Sequence, residues 1–139
     1  MSKADVERLH QASVDALNAH DAKGYAAFFA DDALYVVYGV REFRGAEQIE
    51  ALWRRGLSAP YTVKTVAAMF DDEHFFVDYD ITTTDTVGRS LPGGGTAPPT
   101  GKSARYNAMA RGRVQSGKIV EFYTAVNYQD RDRQLGWIQ

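Results

Sequence analysis

Between Glu73 and Gly88 the chain alternates with a period of two: Phe75, Val77, Tyr79 and Ile81 take every second position, and Phe76, Asp78, Asp80 and Thr82 fill the gaps. Successive side chains of an extended strand point to opposite faces, so this run belongs to a sheet with one dry face and one wet one. By this alternation the aromatic set is expected on the dry face and the aspartates on the wet one. Three further stretches, Tyr61 to Phe70, Ala104 to Val114 and Lys118 to Tyr128, are extended in the same way. Asp71-Asp72 and Ser116-Gly117 supply turn residues between them, so the four segments are expected to form an antiparallel meander.

The first third of the chain has a helical period instead. Ser2 and Asp5 resemble a capping box, and Val6, Leu9, Ser13, Ala16, Leu17 and His20 recur at helical spacing, predicting a helix from Lys3 to about Ala19. Asp21 caps a short second helix carrying Tyr25, Phe28 and Phe29, with Asp31 and Asp32 as its break. Leu34 to Tyr38 reads as a short strand ended by Gly39. A third helix opens at Gly45, buries Ile49, Leu52 and Trp53, and stops at Gly56, with Glu47 and Glu50 toward its start and Arg54 and Arg55 at its end, where the helix dipole favours each. Gly88 to Ser103, crowded with glycine and proline, reads as a loop able to act as a lid. Its Gly93-Gly94-Gly95 run is not followed by the lysine and hydroxyl of a phosphate cradle.

Residue content excludes several functions. The chain of 139 residues is the size of one domain, 1–139, and a formal net charge of -2 gives no field that would draw it to a polyanion, so nucleic acid is not an expected partner. No apolar stretch approaches the ~18 residues of a spanning helix, so no membrane is expected and a cytoplasmic location is. The absence of cysteine removes thiol nucleophiles, thiolate metal sites and disulfides, and His10, His20 and His74 have no metal-ligand spacing. Neither metal nor cofactor is expected.

The order helix, short helix, strand, helix and strand meander resembles the nuclear transport factor 2-like superfamily. LNAHDAKGYAAFFADDALYVVYG (17–39), EFRGAEQIEALW (42–53) and especially GKIVEFYTAVNYQDRDRQLG (117–136) are similar to its SnoaL-like members, among them polyketide cyclases and ketosteroid isomerases. The resemblance implies an α+β cone: three N-terminal helices packed on a strongly curved antiparallel or mixed sheet that encloses a pocket. It also implies a homodimer.

The family's acids map onto this sequence unevenly. The ketosteroid isomerase base falls at Val37, its oxyanion tyrosine near Ser13 and its protonated acid near Ala110, so that machinery is vacant. The cyclase aspartate aligns with Asn127, an amide that holds a carbonyl or hydroxyl but is no base, and Tyr123 stands in the place of the signature tryptophan. Limonene epoxide hydrolase-like members cluster carboxylates with an arginine on neighbouring strands, which here points to Asp78 and Asp80 beside Arg105, Asn107 and Arg111.

Asp80 and Asp78 are therefore the candidate catalytic carboxylates, one raising the other's pKa, with His74 as a candidate base near neutral pH. The alternation allows a second reading, in which the aspartates face solvent or a dimer partner and merely pair with arginines. Among 8 tyrosines, Tyr35, Tyr38, Tyr79, Tyr106 and Tyr123 fall on expected strands. With Trp53, Asn107 and Asn127 they are the candidate substrate-binding residues for a small hydrophobic or aromatic metabolite. The expected chemistry is cofactor-independent isomerisation, cyclisation, dehydration or hydrolysis; the alternative is a ligand-binding or dimerisation module without catalysis.

Overall fold

The computed structural model describes residues 1–139. Helix α1 (Lys3–Asn18) starts in a complete capping box: Asp5 N–H donates to Ser2 Oγ at 3.1 Å, and Ser2 N–H donates to the Asp5 carboxylate at 3.0 Å. Its buried stripe is Val6, His10, Ser13, Val14 and Leu17. The stripe is therefore centred one position away from the expected one, on His10, with Leu9 and Ala16 half-buried beside it. Asn18 fastens the helix end to the sheet, donating to Val63 C=O at 2.9 Å and accepting from Val63 N–H at 2.8 Å. His20, expected at the helix end, sits beyond it at φ +57° with Nε2 3.0 Å from Tyr61 C=O, and so serves the connection.

Helix α2 (Ala22–Ala26) is a single turn capped by Asp21, which accepts from Gly24 N–H at 2.8 Å. Phe29 belongs not to it but to β1 (Phe29–Val37), which runs through Asp31 and Asp32 where a break was expected. The strand absorbs these residues in an irregularity: its register against the parallel strand Lys118–Val126 jumps between Phe29 and Leu34. A short β2 (Arg41–Arg44), too brief to show a period in sequence, folds back on β1, and α3 (Gly45–Gly56) follows.

The meander is as long as the alternation required: β3 (Tyr61–Phe70), β4 (His74–Thr84), β7 (Ser103–Gln115) and β8 (Lys118–Val126). Between β4 and β7 the glycine-rich segment forms a small hairpin, β5 (Arg89–Ser90) with β6 (Thr96–Ala97). Strand order is β2-β1-β8-β7-β4-β3, with β1 parallel to β8 and the other neighbours antiparallel. At the β7–β8 turn Ser116 and Gly117 take φ of +52° and +79°, the left-handed pair that keeps a hairpin's twist. The last segment of expected strand turns instead into α4 (Tyr128–Gln134), with Asn127 as N-cap accepting from Asp130 N–H at 3.2 Å. Helices α1 and α3 pack on the sheet's inner face and α4 on β7, which makes the α+β cone with a mixed sheet. No helix is long and apolar enough to cross a membrane.

Inside, one close approach sets the narrow end. Phe75 lies directly over Gly112, its cross-strand partner, so that a Cβ on Gly112 would stand 2.1 Å from the ring. Gly112→Ala is expected to cost about 2 kcal/mol through overpacking. Denaturant unfolding checks this, and pairing the change with Phe75→Leu should return part of the loss.

Candidate functional site

The inner face and the helices leave a cavity of about 410 Å³. Along β4 and just past its end the lining runs from Tyr79 through Ile81 and Thr83 to Asp85, and the exposed Val87 and Arg55 mark the mouth. Six of the eight tyrosines line it: Tyr25, Tyr35, Tyr61, Tyr79, Tyr106 and Tyr128. The rings brace one another. Trp53 meets the edges of Tyr25 and Tyr61, each 5.4 Å away between centroids; its Nε1–H donates to Tyr35 Oη at 3.2 Å; Tyr35 stacks on Phe122 at 4.7 Å.

Burial decides the electrostatics. It pushes the phenols of Tyr25, Tyr35, Tyr61 and Tyr79 well above their ordinary range. For Tyr106, burial outweighs the nearby Arg131 guanidinium and leaves the phenol at about 12. At neutral pH the wall therefore offers O–H groups and no phenolate. Tyr79 Oη lies 2.6 Å from Nε2 of His10, whose imidazole burial drives down to about 4, so this pair is neutral too.

The one carboxylate in the lining is already occupied. Asp85 accepts from Gly88 N–H at 3.0 Å, Thr100 N–H at 2.8 Å and Trp137 Nε1–H at 2.9 Å. Burial raises its pKa, and these donors overcome that and hold it below the usual value. Asp85 thus knots the start of the glycine-rich segment, its end and the C-terminal tail together at the mouth. There the Arg131 guanidinium lies over Tyr128 at 4.5 Å and Trp137 at 5.1 Å and pairs with Asp132 at 2.8 Å. No cluster of three or more histidines and acids is placed to hold a metal ion.

Of the residues the sequence singled out, Tyr35, Trp53, Tyr79 and Tyr106 line the cavity. Asp78, Asp80 and His74 do not, because the alternation that sends Phe75, Val77, Tyr79 and Ile81 inward sends the aspartates to the outer face. Asp80 is held there by Arg105, at 2.6 Å, and the Arg105 hydrogen bond lowers its pKa, the reverse of a raised acid. His74 sits at the strand's start with Nδ1 3.2 Å from Asp71. Tyr38 and Tyr123 stack on each other outside, with Arg111 4.0 Å over Tyr123. Asn127 is spent as the α4 cap and, with Asn107, faces away; the two side chains meet at 3.3 Å. These placements correct the expectation that the carboxylates, His74, Tyr38, Tyr123 and the two asparagines share the cavity.

His10, Asp85, Arg131 and the other three tyrosines were not foreseen as a group. His10 could have been found on the 3.6-residue stripe running from Val6 through Ser13 to Leu17. Asp85 has one local donor, Gly88 three residues on, but the other two, Thr100 and Trp137, come from distant segments that the sequence does not place beside it.

Comparison with known proteins places this architecture. A family model described as the SnoaL-like domain matches residues 10–132. Among solved structures, AclR from Streptomyces galilaeus, proposed to be a hydroxylase, superposes with a TM-score of 0.83 at 21% identity, over 99% of this chain and 100% of its own. An M. tuberculosis LEH-like epoxide hydrolase gives 0.74 at 18%, covering 97% and 92%. A protein of Xanthomonas campestris pv. campestris proposed to be a polyketide cyclase gives 0.78 at 18%, covering 97% and 99%. At these identities the likeness is one of fold. Among curated proteins none matches the chain significantly in sequence.

The knot at the mouth has a measurable consequence. Since folded Asp85 is held below the ~3.9 of an unfolded aspartate, its contribution to stability is fully present above that value and is lost as pH falls through the folded one. Asp85→Asn should lower unfolding free energy by about 2 kcal/mol at pH 7, and the gap to wild type should shrink with acidification in denaturant melts.

Proposed function

Because this chain belongs to the SnoaL-like domain family, we propose that it binds a small, largely apolar or aromatic metabolite in the tyrosine-lined cavity and carries out cofactor-independent proton chemistry on it. Isomerisation, cyclisation, dehydration and hydrolysis all fall in that class. The observation that carries the reading is a cavity of about 410 Å³, the size of a small-molecule site, whose walls are rich in aromatic rings and include six tyrosines, with phenols that burial keeps protonated. Aromatic faces take the apolar body of such a ligand, and phenol O–H groups hold its carbonyl or hydroxyl. The domain 1–139 acts as one unit in this reading.

One observation favours a second reading, a ligand-binding or dimerising module without catalysis. The expected acids lie on the outer face, and the only carboxylate lining the cavity is tied up by three donors. The same outer face supports a homodimer. Met69, Phe76 and Met109 are 74%, 48% and 58% exposed on it, flanked by Asp78 and Asp80 on β4 and by Arg105 and Arg111 on β7. A second copy laid on by a two-fold axis would set acids against arginines around that apolar patch.

Both tryptophans, Trp53 and Trp137, line the cavity, so their fluorescence reports its filling. Titration with 2-naphthol is expected to give saturable one-to-one quenching, weakened about fivefold in Tyr106→Phe, which loses one hydroxyl. A folded protein that shows no saturable change with this probe overturns the reading. For the dimer, light scattering should give twice the 15.4 kDa chain mass, falling to one chain mass in Met109→Asp; a wild-type monomer removes that part.

A further inference from the structure

The wall of the cavity is one hydrogen bond thick at its deep end. Tyr79 lines the cavity on the inside. His10, its partner at 2.6 Å, lines a separate open groove between α1 and β3, bordered also by Lys3, Glu7, Thr65 and Met69. The imidazole is only 2% exposed and caged by Phe70 and Phe75, with ring centroids at 5.6 and 4.9 Å. Nδ1 makes no hydrogen bond within the protein, yet it is not among the sealed, unpartnered polar atoms, so it opens on the groove. One pair of side chains therefore links the cavity interior to solvent on the far side of the wall.

Burial penalises both ions this pair could form, imidazolium and phenolate. It leaves the two neutral arrangements accessible. In one, Nε2–H donates to Tyr79 Oη and the phenol O–H is free for the cavity. In the other, Tyr79 O–H donates to bare Nε2, the proton sits on Nδ1, and a phenol lone pair faces the cavity.

We infer that Tyr79 is the group that exchanges a proton with the bound ligand, and that His10 is a positioning residue that restores Tyr79 by switching tautomer against water in the groove. A ligand oxygen that carries enolate or alkoxide charge takes the Tyr79 Oη proton. The phenol O–H bond is rebuilt with the proton of His10 Nε2. Nδ1 takes a proton from a groove water, whose hydroxide passes to the bulk buffer. The imidazole begins and ends neutral, and no ion is left inside the wall. Run backwards, the same transfers draw a proton from a ligand O–H. The step rests on the cavity being the ligand site.

The test is nitrogen NMR of the ¹⁵N-histidine-labelled chain with two probes: 2-acetonaphthone, which only accepts hydrogen bonds, and 2-naphthol, which donates. Tryptophan fluorescence monitors binding separately. With the ketone bound, His10 should carry its proton on Nε2; with the naphthol bound, the protonated and bare nitrogen shifts should exchange places. In Tyr79→Phe, which keeps the ring, both probes should still bind while His10 becomes indifferent to which is present. Binding of both with one unchanged tautomer overturns the relay and leaves the cavity reading standing. So does a probe-dependent switch that persists in Tyr79→Phe. Failure of either probe to bind a folded chain overturns the cavity reading and the relay with it.

Discussion

A sheet that is wet on one side and dry on the other commits every second residue of each strand to the same enclosed space, and the rest of this molecule depends on that commitment. Phe75, Val77, Tyr79 and Ile81 of β4 meet the inward residues of β7 at fixed cross-strand positions, and Phe75 can lie flat only because Gly112 opposite has no side chain. That contact fills the narrow end. Farther along the same strands the inward positions hold tyrosines, and with α1 and α3 closing the top, rings that cannot all meet at one point leave a hollow. The cavity follows from sheet geometry and side-chain size together.

The hollow then dictates its own chemistry. Removing phenols and an imidazole from water favours their uncharged forms, so the interior works with hydrogen-bond donors and acceptors rather than with formal charges. Two of the charges near it, at the mouth, are engaged: Asp85 by three donors, Arg131 by Asp132 and two aromatic faces. A free acid of the kind that other architectures place on a strand is here turned outward and bound to an arginine.

How much of this could be read beforehand depends on whether the signal is local. The limits of β3 and the dry face of β4 were legible because alternation is written residue by residue, and α1 because its cap and stripe lie within one segment. The sheet's mixed character was legible only through resemblance. Strand β2 and helix α4 were missed: four and seven residues do not establish a period. Tyr35, Trp53, Tyr79 and Tyr106 could be placed because they are aromatic positions on inward faces or on the stripe of α3. Asp78 and Asp80 drew attention as a carboxylate pair, although the alternation that found the strand also turned them away from the cavity. Asp85 stayed invisible because what distinguishes it from an ordinary turn aspartate comes from Thr100 and Trp137, which only the folded chain brings to it.

The knot at Asp85 also makes the entrance a single mechanical part. The turn at Gly88, the return at Thr100 and the tail at Trp137 each donate to the same carboxylate, so a displacement of Asp85 is felt by all three. Losing that one carboxylate would therefore loosen the hairpin and the tail together.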